Sequence, residues 1–532
     1  MEGVPVGARR TSWSALVSAV AAVALAVTAC AGGGGDGAER QYVVAIDDDP
    51  RGLNAQLIAA PMTAMFSAQI LEPLIFISTD YELSPALAES WELSEDGMDL
   101  RLALRQGVQW HDGTPFTAQD VKFNFEEIVP LSFYGQDISA RLDSVEIVDD
   151  ATVVLHMKEP YGPLLETVAA QFMVPRHLYE GTDYVTNEAN MAPIGTGPMM
   201  FESYSSGEQI VLVKNPDYWG GPVQVDRAIF PIMGDAAART EALFAGEIDQ
   251  AVVDVAQLGR VRDNPDTMLL EKFAYPQYVA MMFNGENPYL ADPAVRRAIF
   301  SAIDRDAVAD VVLQGFGRPA TTFFPDSLGW ANSPNIDFSR DFPRDVDAIN
   351  KALDDAGFPR GPDGVRFTLD LRYTAERTET AAMAELARSM LADVGVGVNL
   401  VGTSAAVYTE KVYTDGDFGI SFLPATVGPD PNIAMARWYM CNPEKRASAN
   451  PSGICDPQID AAALEAAGAA SREQRATAFH AFQERAAELM IYAPVVWFNG
   501  QFPSVNTSRW AGQDEPQPAS NRLPWLSMAP AV

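Results

Sequence analysis

The sequence predicts a mixed α/β protein, and three observations carry that reading. Apolar residues recur at helical spacing in some segments and alternate at strand spacing in others. These segments follow one another along the chain with no short repeat period of the kind that marks a solenoid. With 532 residues and 48% hydrophobic content, the chain can bury one large core or several, so more than one lobe is expected.

The elements can be justified in order. QYVVAID (residues 41–47) reads as a strand closed by the turn at Asp48, Asp49 and Pro50. Met62, Met65, Phe66 and Ile70 mark one face of a helix leading into Glu72, Pro73 and Leu74. Leu100, Leu102 and Leu104 alternate like a half-buried strand, with a turn at His111, Asp112 and Gly113. Thr117 is a good N-cap for a helix facing the core through Val121, Phe125 and Ile128. SVEIV and ATVVLHM flank Asp149 and Asp150, a hairpin pattern. Asp292 and Pro293 start a helix with Val295, Ile299, Ala302 and Ile303 buried and Arg296, Arg297 and Asp304 on its polar face. Later helices carry Ile349 and Leu353, ending at Gly357, and Met383, Leu386, Met390 and Val394, ending at Gly395 before the strand VGVNLVG. Ser471 and Gln474 form a capping box before Phe479, Phe482, Ala486 and Leu489. Pro494 is expected to end that helix, and VVWF reads as a buried strand.

A formal net charge of −34 and a pI near 4.4 repel phosphate backbones, so nucleic acid is excluded as a partner. No segment beyond the N-terminus has the about 20 consecutive apolar residues that crossing a bilayer requires. At the N-terminus, Arg9 and Arg10 precede an uncharged run over residues 13–27, the pattern of a signal peptide (residues 1–29). Val27, Thr28, Ala29 and Cys30 resemble a bacterial lipobox, which implies a diacylglycerol on Cys30 and a flexible lipidated tether over residues 30–40 that contains Gly32–Gly35. An ordinary signal peptide cut at an A-x-A-like site, or a short membrane anchor, is the alternative. The arginine pair fits twin-arginine export poorly. With Cys30 assigned to lipid, Cys441 and Cys455 remain in an exported chain and are expected to form one disulfide. A metal or nucleophilic pair is the weaker reading, because no histidine lies near either in sequence.

Enzyme motifs are absent. The chain has no phosphate-cradling glycine loop with lysine, no H-E-x-x-H and no G-x-S-x-G elbow. His111, His156, His177 and His480 are scattered over a turn, a strand, a loop and a helix, where structural or solvent-facing roles are expected. No metal site and no cofactor is implied, and a paired-carboxylate hydrolase is unsupported.

SPALAESWELSEDG (residues 84–97) and LRQGVQWHDGTPFTAQDVKFNFE (residues 104–126) resemble the signature region of the dipeptide- and oligopeptide-binding proteins of ABC importers, solute-binding family 5. PIGTGPMMFESY, NPDYWGGP, ALFAGEIDQA, MFNGENPYLADPAVRRAIFSAIDRDAV and NPSGICDPQIDAAALEAA resemble successive family blocks in the family order. The resemblance implies a two-lobed periplasmic-binding-protein-like fold of class II type with an additional inserted domain. Lobe I would comprise residues 41–71, 192–275 and 499–532, the insert residues 72–191, and lobe II residues 276–498, with a hinge near Tyr275 and Asn499. It further implies a monomeric extracytoplasmic receptor that captures a peptide or similar solute and delivers it to ABC permease subunits. Most motif residues would be scaffold: Asp112 and Gly113 a turn, Tyr218 and Trp219 core filling, and Arg305 a partner near Asp304.

The loop ATVGPDPN (residues 425–432) resembles the ligand-contacting loop that precedes the family's Asp-Pro. Many peptide binders carry an aspartate four positions ahead of that proline, where it meets the peptide's α-amine. Here that position is Val427, and the early loop that adds a second acid in some oligopeptide binders has Ala59, with Pro61 beside it. A buried ammonium without a carboxylate partner is strongly unfavourable, so a ligand lacking a free α-amine is expected. Asp430 either takes over the amine or caps the turn before Pro431, and Trp438 either walls the cavity or fills core. The alternatives are a metal chelate, haem, sugar or opine as the solute, or an exported hydrolase or chaperone on the same scaffold.

Overall fold

Helix and strand segments sort into a seven-, a six- and a four-stranded sheet in the computed structural model, which describes residues 39–270, 273, 275–498, 502–519 and 522–531. The signal peptide, Cys30, the glycines of the tether and Asn499 lie outside the described residues. From Arg40 onward the chain forms one compact unit. No helix among the described residues is long and apolar enough to cross a membrane.

Gln41–Ala45 lies at the centre of the seven-stranded sheet, parallel to both Arg227–Pro231 and Gln250–Val252. Its core is Tyr42, Val44 and Ile46, packed with Phe66 and Phe230, whose rings meet edge to face at 4.9 Å. Pro503–Asn506, near the end of the chain, inserts antiparallel between Gln250–Val252 and Thr267–Leu269 and completes this sheet.

Every strand of the six-stranded sheet comes from residues 277–498. Phe367–Thr374 and Val396–Thr403 pair in parallel over their full lengths, joined by the helix Thr378–Asp393. Gly395, at φ +79, provides the left-handed turn between that helix and its strand. Gln277–Phe283 and Tyr492–Phe498 are antiparallel neighbours with Gln277 opposite Phe498, so the segments leaving and re-entering the seven-stranded region run side by side.

The four-stranded sheet Ala88–Leu93, Asp99–Leu104, Thr152–Met157 and Leu142–Asp149 is antiparallel and lies within residues 72–191. Thr117 and Asp120 form a reciprocal capping box under it, with the Thr117 N–H donating to Asp120 Oδ2 at 2.9 Å. His111 ties this region to the seven-stranded one. Its Nε2–H donates to the Gly197 carbonyl (2.9 Å) and its Nδ1 accepts from the Gly195 N–H (3.2 Å), a neutral tautomer that burial reinforces by pushing the pKa down to about 4.

Several expectations need correction. Arg296 is 1% exposed, and its guanidinium donates to the carbonyls of Leu290 and Ala291 in the preceding turn and of Leu489 and Met490 at a helix C-terminus, so it satisfies buried carbonyls instead of facing water. Arg305 donates to the Phe338 and Phe342 carbonyls, while Asp304 caps Ala307. Helix Arg472–Leu489 ends through Met490 at φ +45, and Pro494 lies inside strand Tyr492–Phe498. The strand accommodates a residue without an N–H through a register shift opposite Val279 and Ala280. His177 sits on the short helix Arg176–Tyr179 and meets Asp112 at 2.7 Å. Trp219 is only partly buried and joins Tyr218 in hydrogen-bonding Glu72, so the pair serves a polar network as well as a core.

Candidate functional site

Residues from the four-stranded region meet residues from the six-stranded region along one seam. The tightest point is Gly162, whose N–H donates to the Ala467 carbonyl at 2.7 Å. A Cβ on Gly162 would stand 2.7 Å from the Ala466 carbonyl oxygen and 2.8 Å from Arg475 Nε, so only glycine permits this approach.

Beside it lies a charged cluster. Asp430 caps the short helix Pro431–Ala434 by accepting the Asn432 N–H (2.8 Å), and its other oxygen accepts from Arg475 Nη2 at 2.6 Å. Both residues are buried, so the pair stands largely outside solvent screening. Glu166, on helix Leu164–Ala169 of the opposite region, adds a second carboxyl. Burial, and secondarily the Asp430 charge, push its pKa up to about 7 against the opposing pull of Arg475.

Next to this cluster the seam is aromatic. The hairpin of Ile75–Ile77 and Leu83–Pro85 is tipped by Tyr81 at φ +64, which stacks on Tyr275 with centroids 5.2 Å apart. Tyr275 in turn lies against the backbone of Gly428, where a Cβ would come within 2.7 Å of the ring. On the far side Trp438 stacks on Tyr492 (5.8 Å) and tilts against Tyr413 (6.0 Å), and the Tyr492 hydroxyl donates to that of Tyr278 at 2.9 Å. Arg437 spans the two regions, its guanidinium 5.7 Å from the Phe133 ring centroid and 4.8 Å from that of Trp438.

Burial is the largest influence on the protonation of Tyr134, Glu166 and Tyr275, yet each is only half-buried by surface area. The Tyr81 hydroxyl, Arg437 Nε and Trp438 Nε1 are buried polar atoms with no hydrogen-bond partner among the described residues. Such orphans are expensive unless a ligand or water completes them. Among the described residues no group of three or more His, Cys, Asp or Glu is placed to hold a metal ion.

The residues singled out from sequence fall in different places. Ala59 and Pro61 are exposed at the start of helix Pro61–Ile70, and no described hydrogen bond, ion pair or ring contact joins them to the seam. Val427 is fully buried, and the Asp430 carboxylate is occupied by Arg475 and the Asn432 N–H. Trp438 is 4% exposed and belongs to the aromatic wall. The sulfurs of Cys441 and Cys455 are bonded, closing a loop from which the Asn450 N–H reaches the Arg437 carbonyl at 2.9 Å. Sequence reasoning missed Tyr81, Glu166 and Arg437 and named Tyr275 only as a hinge position. Only Arg437 carried a signal, as the single charge in the apolar run NIAMARWYM.

Comparison with known proteins gives this arrangement its context. A putative ABC transporter peptide-binding protein of Brucella ovis is 31% identical over 382 residues, covering 68% of this chain and 69% of that protein. Heme-binding protein A of Haemophilus influenzae is 28% identical over 450 residues, covering 79% and 78%. The crystal structure of NikA from Brucella suis in complex with Fe(III)-EDTA superposes with a TM-score of 0.81 at 24% identity, covering 93% of this chain and all of that one. The fold is therefore the two-lobed periplasmic-binding-protein type, and the relatives are solute-binding proteins and not enzymes. The model of the bacterial extracellular solute-binding proteins, family 5 Middle, matches residues 82–446, and the chain belongs to that family.

Proposed function

We propose that this chain is a lipid-anchored extracytoplasmic receptor of an ABC importer that encloses a small solute along the seam and hands it to membrane permease subunits. The observation that carries the reading is the set of unpartnered polar atoms, Tyr81 OH, Arg437 Nε and Trp438 Nε1, on aromatic walls contributed by both regions. Lobe I comprises residues 41–71, 192–275 and 499–532, the insert residues 72–191, and lobe II residues 276–498. The paired passages near Tyr275 and Asn499 act as the hinge, which the antiparallel pairing of Gln277 with Phe498 supports. Closure is stabilised by contacts made only when the lobes meet, such as that of Gly162 with Ala467, and the receptor works as a monomer.

The test is a thermal-shift screen of the full chain against N-acetylated and free di- and tripeptides, metal chelates, haem, sugars and opines. A ligand that binds only the native state raises the melting temperature, by about 2.7 kcal/mol of stabilisation at 100 times Kd. No shift from any class would refute capture. For the anchor, Cys30→Ala should release the protein from membranes, and an unmodified mature N-terminus elsewhere by intact mass would remove lipidation.

The solute is one without a free α-amine at the 425–432 loop, since Val427 offers no carboxylate and that of Asp430 is occupied. A second reading keeps free peptides and assigns the amine to Glu166, whose carboxyl lies close enough to Asp430 to feel its charge. Calorimetry with free and N-acetylated dipeptides separates the two, because only the second expects acetylation and Glu166→Gln to abolish binding.

A further inference from the structure

Among the buried and half-buried arginines of the described residues, Arg437 is placed differently from those that anchor carbonyls or carboxylates. Arg296 is saturated by four carbonyls, Arg475 holds Asp430, and Arg522 holds Glu72 and the Tyr218 hydroxyl. Arg239 and Arg305 each leave one nitrogen unpartnered but donate to backbone carbonyls through another. Arg437 makes no side-chain hydrogen bond and no ion pair among the described residues, and its Nε is buried. A guanidinium is always charged and carries five N–H donors in a planar fork. Leaving it without an anion in a half-buried place is unfavourable, and stacking on Phe133 and Trp438 compensates only in part.

The surroundings restrict what can complete it. The net charge of −34 makes acidic side chains abundant, yet none pairs with Arg437 among the described residues. Its neighbours are instead aromatic: Phe133 and Tyr134 from the insert, and Tyr278, Tyr413 and Trp438 from lobe II. Trp438 Nε1, on the ring under the guanidinium, is a second buried donor without an acceptor. Two unpaired donors on adjacent residues call for an acceptor-only group, and aromatic walls call for a flat or apolar body attached to it. The fork also suits a planar two-oxygen anion better than a point charge.

Resting on the proposed capture of a solute along this seam, we propose that Arg437 is the anchor for a carboxylate of the enclosed ligand, with Trp438 Nε1 as a second donor and the surrounding rings holding the ligand's flat or apolar body. The Asn450 N–H, reaching the Arg437 carbonyl from the disulfide-closed loop, fixes the backbone from which the guanidinium extends. This places Arg437 as a specificity-determining residue that rejects neutral analogues. The carboxylate has two chemical sources, the C-terminus of a peptide or a non-peptide organic acid.

The experiment is calorimetry on the full chain with matched pairs, each an acid and its primary amide. One arm uses N-acetylated dipeptides ending in an aromatic residue, and the other uses aromatic acids such as indole-3-acetate. In the wild type the acid should bind tighter than its amide, on the order of 10- to 100-fold, the range for a hydrogen bond to a charged group. Arg437→Gln should bring acid and amide within about twofold, and Arg437→Lys should keep part of the preference, since a point charge replaces a fork. The arm in which the preference appears identifies the source. Equal binding of acid and amide to the wild type overturns the proposal without any variant, so misfolding of Arg437→Gln cannot shelter it. An acid-to-amide ratio that survives Arg437→Gln also overturns it. A solute from the wider screen that lacks a carboxylate and is indifferent to Arg437→Gln overturns the anchor and leaves capture standing. Absence of any ligand in both screens overturns capture itself.

Discussion

Arg522 and Glu72, 450 positions apart in sequence, meet at 3.0 Å in the interior. Glu72 also accepts from Thr196 Oγ1 (2.9 Å), the Tyr218 hydroxyl (2.8 Å) and Trp219 Nε1 (2.6 Å), so four donors converge on one buried carboxylate. These partners come from residues 196–219 and from the end of the chain, far from Glu72 in sequence. Removing one member strands the other charge, which costs about 3–5 kcal/mol for buried pairs. Glu72→Ala and Arg522→Ala should each lower unfolding stability by that amount in denaturant melts. The double variant should lose less than the sum, and strict additivity would show that the pair is not energetically coupled.

On the proposed lobe closure, Gly162 should report on the closed form. The atoms nearest to a methyl added there are the Ala466 carbonyl oxygen and the Arg475 side chain, all across the seam. Gly162→Ala should therefore penalise the closed form more than folding. Ligand affinity is expected to fall on the order of 10-fold, with the melting temperature of unliganded protein nearly unchanged. Small-angle scattering should show a larger radius of gyration for the variant at sub-saturating ligand. Unaltered affinity would mean that this contact is not part of the bound state.

Local patterning made much of the scaffold legible, because caps, turns and periodicity are short-range signals. Asp292 and Ser471 cap helices as their spacing predicts, and Gly395 ends one, while Asp304, expected on a polar helix face, caps the next short helix instead. What escaped was set by long-range packing. Arg296 looks like a surface residue until the carbonyl ends of Leu489 and Met490, nearly 200 positions away, come to surround it. The site was less legible for the same reason. Tyr81, Glu166 and Tyr275 belong to segments whose neighbours are chosen where sequence-distant parts of the chain meet, as Tyr81 meets Tyr275 and Tyr275 meets Gly428. Asp430 was visible as a cap, but its partner Arg475 lies 45 residues on.

His111 should impose a pH dependence on stability. Its folded pKa of about 4 lies below the ordinary 6.5, because burial disfavours the cation and Nδ1 accepts the Gly195 N–H. A base depressed in the folded state binds fewer protons there than when unfolded. Its contribution is thus complete above about pH 6.5 and is lost as pH falls toward 4, by up to roughly 3 kcal/mol. His111→Gln should be less stable than wild type at pH 7, with the gap narrowing from pH 6.5 to 4 in urea melts. A gap independent of pH would show that His111 does not titrate as described.

Glu166 carries the opposite sign and, on the proposed lobe closure, should act on it. Its carboxyl lies near Asp430, Arg475 and Arg472 and near the phenol of Tyr275, and burial with the Asp430 charge raises its pKa to about 7 from the ordinary 4.5. Opening the lobes returns it to water, where the ordinary value holds. The closed form therefore binds more protons than the open one between pH 4.5 and 7, so closure is favoured at the acid end and weakens as pH rises through 7. The affinity of an identified ligand, titrated from pH 5.5 to 8, should fall with rising pH by at most about tenfold per unit, and should level off above 7. Glu166→Gln keeps the shape of the neutral acid and leaves the Asp430–Arg475 pair in place. It should bind as the wild type does at low pH and show little dependence across the range, once the ligand's own titration is subtracted. A wild-type slope that persists in Glu166→Gln would assign the proton to another group and leave Glu166 a spectator of closure.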